Sequence, residues 1–333
     1  MTTSRRTTLA VSAAGLLALA CTVAVPQLAH RISPAFDVIA GASRPWLFAT
    51  ALGFLAAFAC TVGAWRAALA SAGGHLCPKQ AAARLAIGAM VNAFAPAKLG
   101  DAVKIGLCSR ALDTPGRIWT TSGAYAALAA TRGLTLAALV VLASVTGALP
   151  LWPVFVLIGG AGAVAVAAAL STRLRSHRRI AQALTGLVAL YRSPRALAAV
   201  VAWTIGMQVA RVAATAAAAA ALALPHPLLA ALVILSALDL AGTLPLTPGG
   251  FGVGSGAVAL ALSSRGIGMG QALAVGLAIQ GVETVVSVTT GTVGLAYLFQ
   301  PTPRVRRLVA GFAVVGASGA LAALLGLTLL DLF

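Results

Sequence analysis

The amino-acid sequence predicts an all-α polytopic membrane protein: about seven transmembrane helices plus two re-entrant hairpins broken by proline and glycine, arranged as an inverted repeat. Three observations predict it. Apolar residues make up 60% of the chain and charged residues 9%, with a mean hydropathy of +0.99, a balance that belongs to membrane proteins. Two stretches rich in proline and glycine interrupt the apolar runs, at 95–101 and 240–257. Arginine and lysine concentrate in alternate connecting segments, which marks those segments as cytoplasmic.

Composition also narrows the function. A net charge of +17 would suggest nucleic acid in a soluble protein, but here the basic residues sit between apolar spans and read as inner-loop charges and contacts to anionic lipid. No nucleic-acid partner is expected. Cys21, Cys60, Cys77 and Cys108 are scattered, with no C-x-x-C pair, and the four histidines fall in connecting segments. No metal, disulfide framework or cofactor is expected.

In chain order, Arg5 and Arg6 precede the apolar run Leu9 to Val25, read as an uncleaved first helix with its amino end in the cytoplasm. Trp46 to Leu69 returns to the inside and ends at Trp65 and Arg66, read as an interfacial pair. Arg84 to Phe94, followed by Ala95 to Asp101, is flanked on both sides by basic residues, so both its ends are placed in the cytoplasm as a re-entrant hairpin. Ile118 to Thr146 crosses outward, and Val154 to Leu170 comes back. Arg173, Arg175, Arg178, Arg179, Arg192 and Arg195 bracket Ile180 to Tyr191, which is placed on the inner membrane surface.

The second half begins with Ala196 to Leu224 crossing outward. Leu228 to Leu246 and Phe251 to Leu262 form a second broken hairpin that opens from outside. Gln271 to Phe299 goes in, and Leu308 to Leu330 ends outside. The chain thus reads as one integral membrane domain over 1–333: first helix and external loop 1–45, first half-repeat 46–172, basic cytoplasmic segment 173–195, second half-repeat 196–333. The expected location is the bacterial cytoplasmic membrane, with the carboxyl end external.

The most informative stretch is Leu240 to Ala257. Proline lacks an amide donor and glycine adds backbone freedom, so Pro245, Pro248, Gly249, Gly250, Gly252 and Gly254 must break the helix. Lipid offers no hydrogen bonds to loose backbone, so such a break survives only buried in protein or against a wet cavity. Amides free at the start of a half-helix suit an anionic head group, while glycine also lets hairpin legs pack closely. The first hairpin echoes the second: Pro96 and Gly100 have the spacing of Pro248 and Gly252. Lys98, Asp101 and Lys104 add charge there, read either as a mouth-side cluster or as a solvated helix end.

Charge at membrane depth supplies the second clue. Arg132, Arg211, Asp239 and Glu283 are each placed more than two turns from the ends of an apolar span. Unpaired, each opposes insertion by about 2.5 to 3.5 kcal/mol. They are expected to face one another or water, either as ion pairs that fix packing or as a site in which an arginine meets a phosphate.

Asn92-Ala-Phe-Ala-Pro-Ala-Lys-Leu-Gly-Asp101, Arg132-Gly-Leu-Thr-Leu, and Leu244-Pro-Leu-Thr-Pro-Gly-Gly-Phe-Gly-Val253 together resemble the flippase-like membrane family, whose best-known member is the transmembrane region of lysylphosphatidylglycerol synthase/flippase. The likeness runs from about Trp46 to Phe299, and the stretch with Thr247 and Pro248 is its most specific part. The family commonly has an arginine near Gln280; here Glu283 follows one turn on.

The resemblance implies movement of an anionic or amphipathic phospholipid, or of a polyprenyl-linked precursor, between leaflets. It does not imply synthesis, because the aminoacyltransferase domain of the fused synthase is not expected in this chain. Nor does the sequence carry a nucleotide loop or nucleophile elbow. The expectation is therefore not an enzyme. The alternative is a non-catalytic membrane partner of a separately encoded glycosyl- or aminoacyl-transferase.

Overall fold

The computed structural model describes residues 38–95, 99–113, 116–145, 187–242 and 253–298. The spans expected at 9–25, 154–170 and 308–330 lie outside them. The described residues include eight helices and no strand: α1 Arg44–Ser71, α2 Pro78–Phe94, α3 Leu99–Ser109, α4 Arg117–Val145, α5 Pro194–Ala221, α6 Pro227–Ala241, α7 Val253–Ser263 and α8 Met269–Leu298. Of these, α1, α5 and α8 are long and apolar enough to cross a membrane, and α6 and α7 are shorter apolar helices. Proline opens α2, α5 and α6 and sits in the first turn of α1, where its missing amide costs no hydrogen bond.

The longest contact is between α1 and α5. They run antiparallel: the Ser43 amide donates to the Ala221 carbonyl at 2.9 Å, Gly53 lies on Ala214, and Gly63 lies on the Trp203 ring. Glycine is required at both contacts, because a Cβ at Gly53 would come within 2.7 Å of the Ala214 Cβ, and one at Gly63 would enter the indole. Close approach of this kind is how membrane helices gain dispersion energy where lipid supplies no hydrophobic drive.

Two apolar cores lie along this pair. One gathers Phe54, Ala214, Ile234, Val258, Leu262 and Ile279 from α1, α5, α6, α7 and α8. The other gathers Trp65, Leu69, Leu85, Cys108, Ala124 and Val200 around α2, α3 and α4. On α5, Thr204, Gln208 and Arg211 fall between the residues that serve the two cores.

Helix contacts keep the same pattern when α1–α4 are exchanged for α5–α8. The first legs α2 and α6 pack on the long helix of the other half, α8 and α4, and the second legs α3 and α7 pack on the long helix of their own half. The α2 and α8 contact is again close, with Gly291 against Ala86 and Met90, and Gly294 against Ala83.

Two boundaries and the setting of one side chain differ from expectation. Leu99, Gly100 and Asp101 belong to the first turn of α3 and not to the break before it, which places the Asp101 carboxylate at the favourable end of the helix dipole. The helix expected to continue to Leu246 stops at Ala241, with Gly242 as its cap, ahead of Pro245. Asp239 therefore lies in the last turn of a half-helix rather than two turns inside a span. Trp65 is also no interfacial anchor: it is 5% exposed, and its ring lies 5.7 Å from that of Tyr125.

Replacing Gly53 with leucine should overpack the α1/α5 contact by about 1 to 3 kcal/mol and lower the unfolding temperature of the detergent-purified protein. Gly106→Ala, where a Cβ meets nothing within 4 Å, should leave it nearly unchanged. Equal effects in the two variants would contradict the close antiparallel pairing.

Candidate functional site

Asp239 is the hub of the charged site. It ends α6, where the helix dipole disfavours a carboxylate, so it needs cations. Arg211 of α5 supplies the near one, its Nη1 donating to Asp239 Oδ2 at 2.8 Å. Arg132 of α4 stands on the other side, its Nη2 3.6 Å from Asp239 Oδ1. Gln208, one turn before Arg211 on α5, accepts a long hydrogen bond from the same Nη1 at 3.4 Å. Glu283 of α8 lies within electrostatic reach of both arginines. Four helices thus bring together the four charges that the sequence placed at membrane depth.

The four are not equivalent. The Arg211 and Asp239 side chains are 11% and 10% exposed, whereas that of Arg132 is 51% exposed, and Glu283 is exposed as well. Arg211 and Asp239 are thus the buried pair of the group, and Arg132 and Glu283 its exposed members. A half-exposed arginine whose contact with its carboxylate is loose keeps donors for an incoming anion.

Gln280 lies one turn before Glu283 on α8 and is buried. A Cβ at Gly254, in the first turn of α7, would strike its amide nitrogen, and Gly276 meets Ser255 in the same way. Small residues therefore set the close seat of α7 on α8. Thr247, Pro248, Gly249, Gly250 and Gly252 lie outside the described residues, as do Pro96 and Lys98. What the structure shows is where their flanks end, at Gly242 and Val253, and at Ala95 and Leu99.

The first hairpin carries a second polar cluster. Asp101 accepts from Asn92 Nδ2 of α2 at 2.9 Å, from Lys104 Nζ at 2.9 Å, and from the Tyr125 hydroxyl of α4 at 2.7 Å. Three donors favour its ionised form. Asn92 joins the two legs of the hairpin, and Tyr125 ties the hairpin to α4. Gly100 is needed beneath them, because a Cβ there would strike the Gly88 carbonyl and the Asn92 side chain. Asp101 and Lys104 are thus paired and partly buried between the hairpin and α4.

Tyr125, Asn92 and Gln208 were not singled out in the sequence. Their signal is helical spacing: Tyr125 precedes Arg132 by two turns, so both lie on one face of α4, and Gln208 precedes Arg211 by one. Among the described residues no group of three His, Cys, Asp or Glu side chains stands together as a metal would require.

An integral membrane protein with interrupted helices and convergent charges between them is the class this geometry defines. The chain belongs to the lysylphosphatidylglycerol synthase transmembrane-region family, whose model matches residues 7–291. No curated protein and no solved structure matches it.

Removing Arg211 alone leaves Asp239 buried beside only a loose partner. Arg211→Ala should therefore cost about 3 to 5 kcal/mol, and the double variant Arg211→Ala/Asp239→Ala should recover much of that loss. Arg132→Gln should cost under about 1 kcal/mol, as expected for a half-exposed pair. Thermal unfolding of the four purified proteins checks this; a double variant less stable than Arg211→Ala would contradict the pairing.

Proposed function

We propose that this protein moves an anionic or amphipathic phospholipid, or a polyprenyl-linked lipid precursor, between the leaflets of a bacterial cytoplasmic membrane. The convergence of Arg132, Arg211, Asp239 and Glu283 on one site carries the reading. Charges at hydrocarbon depth are costly unless they face protein or water, and Arg132, half-exposed and only 3.6 Å from Asp239 Oδ1, offers an anionic head group a loosely engaged guanidinium.

An inverted repeat supports the same reading. The equivalent helices α1 and α5 run antiparallel, and exchange of the two halves preserves the helix contacts. Broken hairpins in corresponding positions of two opposed halves form the midplane sites of many secondary transporters. In the full architecture, α2/α3 and α6/α7 are re-entrant hairpins, and seven spans cross the membrane with the amino end inside and the carboxyl end outside. The protein is not itself an enzyme: its charges are paired across helices and serve binding.

Reconstitution into liposomes with a fluorescent anionic phospholipid confined to one leaflet tests the proposal. The protein should transfer the probe, and Arg132→Gln should slow transfer at least about tenfold, the effect of losing one charge-assisted hydrogen bond of roughly 1.5 kcal/mol, while remaining folded; Glu283→Gln, which removes a counter-charge of Arg132, should also slow it. Protein that moves no lipid yet copurifies with a transferase would replace this reading with that of a membrane scaffold. Wild-type transport by both variants would show the charges to be structural.

A further inference from the structure

Among the described residues, α4 is anchored in a core at one end only. The core around Trp65 takes Ala124, Tyr125, Ala127 and Leu128 from it, and neither core takes a residue of α4 beyond Leu128. Ala129, Ala130, Arg132, Gly133 and Leu134 are exposed, and among the described residues beyond Gly133 only Val140 is buried. Its counterpart α8 is held along its length. The core around Ile234 takes residues of α8 from Ala272 to Val286, and Gly291 and Gly294 then lie on α2. Moreover, α2 packs along α8 far more extensively than α6, its equivalent, packs along α4.

Where the anchoring stops, α4 carries a soft stretch. Gly133 sits in the helix interior, where glycine loosens the backbone, and a Cβ there would meet nothing within 4 Å. Close packing, the reason for Gly53, Gly63, Gly291 and Gly294, is not the reason for this glycine. On either side of it, Thr131 Oγ1 donates to the Ala127 carbonyl and Thr135 Oγ1 to the Arg132 carbonyl, each at 2.9 Å. Such bonds compete with helix amides for their acceptors and bend helices. Threonine bonds of this kind also occur in α1 and α5, and Gly281 of α8 is equally unobstructed, but core residues or close helix contacts lie on both sides of each.

We propose that α4 is hinged at Thr131–Thr135: the stretch from Ala124 to Leu128 is a fixed base, the stretch beyond Gly133 swings as an arm, and Arg132 rides in the hinge. Sparse buried apolar contact on one side of a softened backbone is what a low-cost local motion needs. The motion acts on the charge group. Arg132 reaches Asp239 Oδ1 only at 3.6 Å and through a half-exposed guanidinium, so bending α4 changes its reach to that carboxylate. Asp239 keeps its 2.8 Å bond to Arg211, so release of Arg132 leaves no bare buried charge. Control of Arg132 in this way rests on the transport reading, whereas the hinge itself does not.

Distances between nitroxide labels test it, in full-length protein that lacks the native cysteines and is reconstituted in lipid. Val141→Cys on the arm and Ile118→Cys on the base are each paired with Leu52→Cys of α1 and, separately, with Leu260→Cys of α7, all at exposed positions. Val141 lies about 12 Å past Gly133, so a bend of about 20° displaces it by roughly 4 Å. Distances to position 141 should be spread by that amount more than distances to position 118. Gly133→Ala, which has room for its methyl group, should narrow them to one and slow lipid transfer several-fold without lowering the unfolding temperature. Distances from Val293→Cys, beyond the equally open Gly281, should be single and indifferent to Gly281→Ala.

Distances to position 141 as narrow as those to position 118, or a spread that survives both Gly133→Ala and Thr135→Val, would overturn the hinge. Narrowed distances with wild-type transfer would overturn its part in transport. A spread arm in a wild-type protein that moves no lipid would overturn the transport reading and leave the hinge standing.

Discussion

A carboxylate at the end of a half-helix is the constraint on which the rest depends. Asp239 occupies the last turn of α6, against the helix dipole and within an apolar hairpin, and it is tolerable there only because Arg211 meets it at 2.8 Å and Arg132 stands beyond. Those two arginines come from α5 and α4, one from each half of the protein. Holding Asp239 in place thus ties α6 to α4 and α5 and leaves Arg132 and Glu283 as the exposed members of the same charge group. The side chains that hold α6 in place are those to which the proposed function assigns head-group binding.

Packing explains how helices with so little polar surface find this arrangement. Hydrophobicity alone does not choose among faces in a membrane, so the specific contacts are steric. Gly53 on Ala214, Gly63 on Trp203, and Gly291 and Gly294 on α2 are positions where no other residue fits without displacement. The two apolar cores they assemble leave Thr204, Gln208 and Arg211 on the stretch of α5 between them. The charged site is a seam between cores.

The membrane class, the order of the described helices and the convergence of four charges were legible in the sequence because each rests on a local rule: apolar run length, proline and glycine interruption, and the cost of charge in lipid. What was not legible depends on neighbours distant in the chain. Trp65 looked like an interface anchor beside Arg66, yet its partner Tyr125 is sixty residues on, and together with Asp101 it makes the polar tie between the first hairpin and α4. Asp239 looked deep within a span because apolar residues continue past it, whereas α6 stops at Ala241. Gln208 is ordinary in sequence and acquires meaning only from the groups that face it.

The central claim is that these charges surround water and do not face lipid. Thiol labelling of the membrane-embedded protein tests it directly, with Arg132→Cys and Leu134→Cys each placed in a background lacking the native cysteines. Leu134 is 70% exposed and two residues away, on another face of α4. A membrane-impermeant, water-soluble methanethiosulfonate should modify the cysteine at position 132 quickly and the one at 134 slowly, since a thiol in hydrocarbon stays protonated and unreactive. An unreactive 132, or equal rates at the two positions, would mean that no hydrated cavity exists at the charges.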